Sequence, residues 1–527
     1  MNIASRLIEF ALKNPNKTAI IDARTDESIT FGELEDKIAR ICHSLLELGF
    51  KPGSRTLLFV KPSLDFHALV FSLFKIGIIP VLIDPGMGRK NLLAAIKHTN
   101  PDGMIAEPIV HYLSYFFRST FKSAKIKVWT SDIKKFLGSK RADEVAKVNE
   151  HDPAAILFTS GGTGTPKGVV YTHHIFSKQT EKLQEMFGLT SDDVDLPGFP
   201  LFSLFTLAMG MTTLIPSMDP SKPGQCDPAK LAANILKYQA TFVAGSPAIW
   251  SRVAAFAIEA ELKFQSIKQV VMFGAPVRNE LHRDLLSIIP NGNTYAPYGA
   301  TEALPLCLSD GKWLLENTID KTNQGSGTCV GTSIDGVDIQ IIQISDDAIN
   351  EMNPSLLKDR NQIGEIIVRG QTVTKTYDQM PEATKLSKIK DGETFWHRMG
   401  DIGYLDDDNR LWFCGRKAHR IDSANGLMAP IRVEAIFNQH PKVSRSALIS
   451  NSQNEPAIVI ELKHGLKPND LLRKELLALA KSSALTSSIS QVFFNDSFPV
   501  DVRHNIKIDR IKLSKMYFKT KMFKYNH

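Results

Sequence analysis

Ten residues, Thr159-Ser160-Gly161-Gly162-Thr163-Gly164-Thr165-Pro166-Lys167-Gly168, follow directly on the apolar run Ala154–Phe158. The run lacks period-2 alternation and is short, so it predicts a strand buried on both faces. Four glycines in the next ten residues let the backbone pass close to a polyanion and aim several N–H groups at it. The hydroxyls of Thr159, Ser160 and Thr163 add donors, and Lys167 adds a point charge suited to phosphate. A merely flexible loop would need only the small residues, not a strand before them and Pro-Lys-Gly after them. Pro166 stands where a P-loop would carry its last glycine, and it disfavours a helix opening on the glycines as a dinucleotide fingerprint requires. The pattern therefore points to a nucleotide-phosphate loop on an α/β fold of neither of those kinds.

The rest of the first half alternates in the manner of such a fold. Helical spacing runs from Phe31 to Leu46 and from Leu64 to Lys75. Arg55–Val60, Ile78–Ile83, Val270–Phe273 and Gly364–Val368 read as strands, and Asp84–Gly88 as a turn. With 527 residues the chain can bury large cores in at least two domains. No window holds eighteen charge-free apolar residues, and the N-terminus meets Glu9 and Lys13 too early for a signal peptide. Cys42, Cys226, Cys307, Cys329 and Cys414 show no paired spacing, which argues against a zinc site or a disulfide framework and suits the cytoplasm.

Thr159–Gly168 resembles the phosphate loop of the adenylate-forming superfamily of acyl-CoA synthetases, peptide-synthetase adenylation domains and beetle luciferases. Matching segments follow in family order over residues 20 to 510. The resemblance implies a large N-terminal domain of layered helices and sheets, residues 1–416, and a small mobile α+β lid, residues 417–527. It implies an enzyme that activates a carboxylic acid with ATP and Mg²⁺, giving an acyl-adenylate and pyrophosphate.

Within that resemblance Tyr298-Gly299-Ala300-Thr301-Glu302 supplies a ring to stack on adenine, a hydroxyl for the α-phosphate or substrate carboxylate, and Glu302 as Mg²⁺ ligand. Phe273-Gly274-Ala275-Pro276 resembles the segment that flanks adenine. Asp401, in Trp396–Asp401, matches the ribose-binding aspartate, a role suited to a carboxylate because it accepts two hydrogen bonds from a vicinal diol. Arg416 matches the arginine that also reaches the ribose. Lys507, in Asn505-Ile506-Lys507-Ile508-Asp509-Arg510, matches the adenylation lysine, although Asn505-Ile506 replaces the usual Ser-Gly.

Two departures narrow the subgroup. Ser203, in Pro200–Ser203, stands where many members carry a histidine near the acyl pocket. The hinge Gly415–Asp422 lacks the paired aspartates and has Asp422 where lysine is common. One subgroup fits these departures: Val60–Ser63, Leu82–Leu92, Gly299–Pro305 and Gly415–Arg420 resemble the β-lactone synthetases of bacterial long-chain olefin biosynthesis. That subgroup implies a long-chain 2-alkyl-3-hydroxy acid as substrate, closed to a β-lactone after adenylation, and assembly with other olefin-pathway enzymes. A fatty acyl-CoA or acyl-carrier-protein ligase is the alternative.

Net charge is +7, and Lys417–His527 alone carries 18 Lys/Arg against 9 Asp/Glu. The tail from Arg510 interleaves lysines with Met516, Tyr517, Phe518, Met522 and Phe523. It reads as a helix packed on its own domain, with an anionic membrane surface or an acidic protein as the other readings. No nucleic-acid motif accompanies the charge, so nucleic acid is not an expected partner.

Overall fold

A computed structural model describes residues 2–159, 166–500 and 508–518; of Pro85 and Thr159 only the backbone is described. The chain forms two compact units. The first comprises residues 1–274, 284–306 and 370–388, the second residues 275–283, 307–369 and 389–527.

The first unit holds a six-stranded sheet in the order Ile126–Trp129, Gly103–Ala106, Arg55–Phe59, Ile79–Ile83, Pro153–Thr159, Lys167–Thr172. The first five strands are parallel and the last returns antiparallel. Its other strands run Asn293–Ala300, Gln269–Met272, Phe242–Gly245, Val194–Pro197, Thr212–Ile215, Thr18–Asp22, parallel until Ser28–Thr30 closes the edge. The strands and helices expected from the apolar pattern are present within a residue or two at each end.

Local chemistry sets the helix boundaries. Phe31–Glu47 opens on a capping box in which Thr30 accepts from the Glu33 N–H and Glu33 accepts from the Thr30 N–H. Leu64–Lys75 opens on Ser63, whose hydroxyl accepts from the Phe66 N–H at 3.1 Å. That second helix is buried from Phe66 to Lys75, as its mostly apolar circumference requires. Its one interior cation, Lys75, meets Glu35 at 3.4 Å.

In the second unit the strands Val337–Ile342, Gly364–Gly370, Thr394–Leu405, Arg410–Arg416 and Thr328–Ser333 lie in that order. Beyond Arg416 come a hairpin, Ile421–Ser423 with Gly426–Met428, and a three-stranded sheet of Val443–Ser450, Pro456–Leu462 and Gln491–Phe494. Helices Pro430–Asn438, Asp470–Lys481 and Arg510–Tyr517 accompany them. Ile421, Phe437, Leu448, Ile460, Leu476 and Val492 belong to one hydrophobic cluster drawn wholly from this stretch. The helix Arg510–Tyr517 packs on a second cluster of the same stretch, where Leu513 is buried with Ala447, Val459 and Phe498 and the Tyr517 ring stacks on Phe493 at 4.7 Å; residues 519–527 of the tail lie outside the described residues.

Candidate adenylation site

The strands Pro153–Thr159 and Lys167–Thr172 pair antiparallel, with Thr159 opposite Lys167. The phosphate-loop residues Ser160, Gly161, Gly162, Thr163 and Gly164 lie outside the described residues. On the return strand a Cβ at Gly168 would come within 2.9 Å of the Phe158 ring and 3.0 Å of the Ile156 side chain, so glycine is needed for the two strands to close. Against this hairpin runs the segment after Gly370: the Asp378 N–H donates to the Gly168 carbonyl at 2.7 Å, and Val169 bridges Tyr377. The Lys167 ammonium consequently sits 4.9 Å over the Tyr377 ring.

Thr301 and Glu302 form the turn between Asn293–Ala300 and Ala303–Asp310. Gly299 is required just before it, because a Cβ there would lie 2.7 Å from the Ala303 carbonyl oxygen. The turn is held from three directions. The Tyr171 hydroxyl donates to the Thr301 carbonyl at 2.6 Å, and Thr374 donates its N–H and its hydroxyl to the Glu302 carbonyl at 2.8 and 3.0 Å. The Tyr377 hydroxyl donates to Glu302 Oε1 at 2.8 Å. Burial first, then the Glu302 charge, raises the Tyr377 phenol, so it stays a donor. Lys388 donates to the Thr374 carbonyl, and burial pushes its ammonium down to about 7, with Glu302 pulling the other way.

One hydroxyl occupies a small part of the roughly four acceptor positions of a carboxylate. Glu302 therefore keeps capacity for a hard cation. Among the described residues there is no cluster of three or more His, Cys, Asp or Glu to build an all-protein metal cage. Mg²⁺ fits this donor set, since it characteristically takes one or two carboxylates and completes its shell with phosphate oxygens and water. Tyr171, Thr374, Tyr377 and Lys388 escape sequence reasoning, because they are separated from Glu302 by 70 residues or more.

In the second unit Asp401 and Arg416 are direct cross-strand partners on Thr394–Leu405 and Arg410–Arg416. Arg416 Nη1 lies 3.0 Å from Asp401 Oδ1, with the carboxylate buried and half of the arginine side chain exposed. The carboxylate is thus pre-oriented by a cation whose outer part still meets solvent. Gly274, with φ +89°, ends a stretch of the first unit, and Ala275 and Pro276 begin one of the second. Tyr298 is half-buried on its strand.

The Asp401 strand also carries Arg398, one member of a triad with buried Glu365 and half-buried Lys417. Arg398 meets Glu365 at 2.6 Å and donates to the Asp347 carbonyl at 2.6 Å; Lys417 reaches Glu365 at 3.2 Å. Arg420 pairs with Asp346 at 2.6 Å and with Asp422 at 3.2 Å. The hinge that lacks paired aspartates in sequence is therefore tied down by Glu365 and Asp346, roughly fifty to seventy residues upstream.

Ser203 is fully buried, and its hydroxyl meets His67 Nε2 at 2.7 Å while donating to the Pro200 carbonyl. His67 Nδ1 lies 2.8 Å from the Ser63 carbonyl. Burial pushes the imidazole down to about 4, so it is neutral at pH 7. A neutral imidazole and one hydroxyl bring two protons to three contacts, leaving the Ser203 hydroxyl shared between His67 and Pro200. An imidazole is present beside position 203 after all, delivered from the helix Leu64–Lys75.

Lys507 lies outside the described residues. Its flanks are pinned: Val500 bridges Ile508, the Asp509 N–H donates to the Pro499 carbonyl at 2.8 Å, and Arg510 makes a two-pronged contact with buried Glu434 at 2.7 and 2.8 Å.

The model of the AMP-binding enzyme family matches residues 7–378. The chain belongs to that family. It is 36% identical to the olefin beta-lactone synthetase of Stenotrophomonas maltophilia and 35% identical to that of Xanthomonas campestris, each over 97% of both chains. It is also 25% identical to 4-coumarate–CoA ligase 1 of Petroselinum crispum, over 92% of this chain and 88% of the relative. Its fold is that of the ATP-bound MatB of Rhodopseudomonas palustris, with a TM-score of 0.81 over 98% of both chains at 20% identity. The chain is thus an ATP-dependent adenylate-forming ligase with the α/β fold of that superfamily, as the motif order implies. Among the described residues no helix is long and apolar enough to cross a membrane.

Proposed function

We propose that the protein adenylates a long-chain 2-alkyl-3-hydroxy acid and closes it to a β-lactone, releasing pyrophosphate and then AMP. The observation that carries this reading is the 36% identity to an olefin beta-lactone synthetase along 97% of the chain. In this reading Lys167 and the loop Thr159–Gly164 hold phosphates, Tyr298, Gly274, Ala275 and Pro276 flank the adenine, and Asp401 with Arg416 takes the ribose. Thr301 contacts the α-phosphate or the substrate carboxylate, and Glu302 holds Mg²⁺, which when bound neutralises phosphate charge. Lys507 offsets the charge that builds as pyrophosphate leaves. Residues 417–527, with a hydrophobic cluster of their own, act as the lid.

Ring closure then needs no second substrate. The β-hydroxyl oxygen attacks the activated carbonyl of its own molecule, the bond to AMP breaks, and the hydroxyl proton is released. Intramolecular delivery gives a large proximity advantage, and the cleaved phosphoanhydride offsets the strain of the four-membered ring. The side chains around Ser203 are mostly apolar and buried, an environment that slows hydrolysis of the adenylate. Five free, buried cysteines fit action in the cytoplasm.

The likeness to a 4-coumarate–CoA ligase favours a second reading, transfer of the acyl group to a pantetheine thiol. Incubation with ATP, Mg²⁺ and a long-chain 2-alkyl-3-hydroxy acid, with and without CoA, followed by mass spectrometry, separates the two. A dehydrated cyclic ester, or its decarboxylated alkene, formed without CoA is expected. Acyl-CoA as the sole product would establish the ligase.

A further inference from the structure

The helix Pro108–Phe116 in the first unit reverses the usual placement of apolar residues. Ile109, Tyr112, Leu113 and Phe116 recur at i, i+3, i+4 and i+7, which marks one face of a helix. That face points outward: the four are 64%, 58%, 44% and 82% exposed, and Tyr115 beside them is 55% exposed. The inward side carries buried His111 and Ser114, with Val110 packed against the core. Contiguous exposed apolar surface of this kind marks an interaction site.

What surrounds the face selects its partner. From Pro108 to Ser131 there are four cations, Arg118, Lys122, Lys125 and Lys127, and no Asp or Glu. All four cations are exposed. The bordering acids are already engaged, Glu107 by Thr130 and the Lys61 N–H, and Asp132 by Lys135. Lys127 donates to the Ser114 hydroxyl at 3.1 Å and lies 5.2 Å over the Tyr115 ring, and Tyr112 packs edge-on against Trp129 at 5.7 Å. Lysine is depleted at protein–protein interfaces, whereas lysine with tyrosine and tryptophan around an apolar stripe suits the headgroup boundary of a bilayer. A nine-residue helix is about 13 Å long, too short to span a membrane but sufficient to lie in its interface.

We infer that the helix Pro108–Phe116, with exposed Lys122 and Lys125 in the segment that follows it, docks the protein on an anionic lipid surface. The apolar side chains enter the acyl boundary while the lysines reach the phosphates. This surface is independent of the basic C-terminal tail and of the substrate reading above, although a two-armed long-chain acid would partition into the same bilayer.

The test is flotation of the full chain with phosphatidylcholine vesicles containing about one-third phosphatidylglycerol, and with pure phosphatidylcholine. Wild type should float with the anionic vesicles and lose binding as salt rises. Replacing Ile109, Tyr112, Leu113 and Phe116 together by Ser should weaken partitioning by ~100-fold or more. Lys122→Glu with Lys125→Glu should weaken it by ~10-fold or more at low salt. ATP–pyrophosphate exchange on a short, water-soluble acid should be unchanged in both variants, confirming the fold. No flotation of the wild type, equal flotation of the fourfold variant, or flotation lost only when Lys519, Lys521 and Lys524 are changed would overturn the inference. So would a fourfold variant whose only change is its oligomeric state in sedimentation velocity, since the helix would then be a protein interface.

Discussion

Around Glu302 in the first unit the carboxylate is held by a neutral hydroxyl from Tyr377, and the Lys388 amine, which feels the Glu302 charge, is pushed down to about 7 by burial. Around Glu365 in the second unit the carboxylate is enclosed by two cations, Arg398 and Lys417. Glu302 comes from a turn and Glu365 from within a strand, and one is kept open to a further cation while the other is neutralised within the protein. The difference lies in the donors. A hydroxyl adds no charge and leaves the anion to attract a metal, whereas an arginine fork and an ammonium consume the anion's field. One arrangement suits a reacting site and the other suits a fixed joint beside the Asp401 strand.

Four measurements would break or sharpen this contrast. The largest effect is expected for Glu365→Gln, which leaves buried Arg398 without its counter-charge and half-buried Lys417 with only Asp346 at 3.9 Å. Stability in urea unfolding at neutral pH should fall by about 3–5 kcal/mol. A loss below about 1 kcal/mol would mean that the cations find water, and that the joint is no tighter than a surface pair.

Glu302→Gln should act on chemistry instead. Pyrophosphate exchange is expected to drop ~100-fold, close to 2.7 kcal/mol of transition-state stabilisation, while the unfolding midpoint hardly moves. Equal exchange at saturating Mg²⁺ would remove Glu302 from the metal role.

Tyr377→Phe removes a buried hydrogen bond to a charged group, a change of ~1.5–3 kcal/mol at most. Because the phenyl ring still packs under Lys167, the effect on exchange should be smaller than that of Glu302→Gln. A larger effect would make the hydroxyl itself part of the chemistry.

The smallest effect is a pH slope. Lys388 has a folded pKa of about 7 against 10.5 unfolded, so the unfolded chain binds the proton first. Its contribution to stability is complete above about pH 10.5 and is lost as pH falls toward 7. Between pH 9 and pH 8 that loss is ~1 kcal/mol. Lys388→Met should lack this part of the slope in parallel unfolding curves. An unchanged slope would show that Lys388 is charged in the folded protein.

Much of the first unit was legible in the sequence because its strands are short apolar runs bounded by turn residues. The helices Phe31–Glu47 and Leu64–Lys75 match their apolar spacing at both ends, and Thr30, Glu33 and Ser63 cap them with contacts made within three residues. The candidate site residues Glu302, Asp401 and Arg416 stand out in the sequence only as members of ordered motifs. Nothing local distinguishes Asp401 from a surface acid. Its burial and its pairing with Arg416 follow from the register of two strands.

The sequence by itself determined the family, the order of the nucleotide motifs and the alternation of strands and helices, because each is written in local spacing and turn chemistry. Only the tertiary structure decided the partners. Tyr377 reaches Glu302 across 75 residues, His67 reaches Ser203 across 136, and Arg398 meets Glu365 across 33. Antiparallel pairing of Gly364–Gly370 with Thr394–Leu405 brings Arg398 to Glu365, and the packing of helices and loops makes the other two contacts, so these separations follow from the fold and not from any pattern in the residues themselves. The helix Pro108–Phe116 shows the same division. Its period is plain in the sequence, but periodicity names a face without saying which way it points, and only packing turned that apolar face outward.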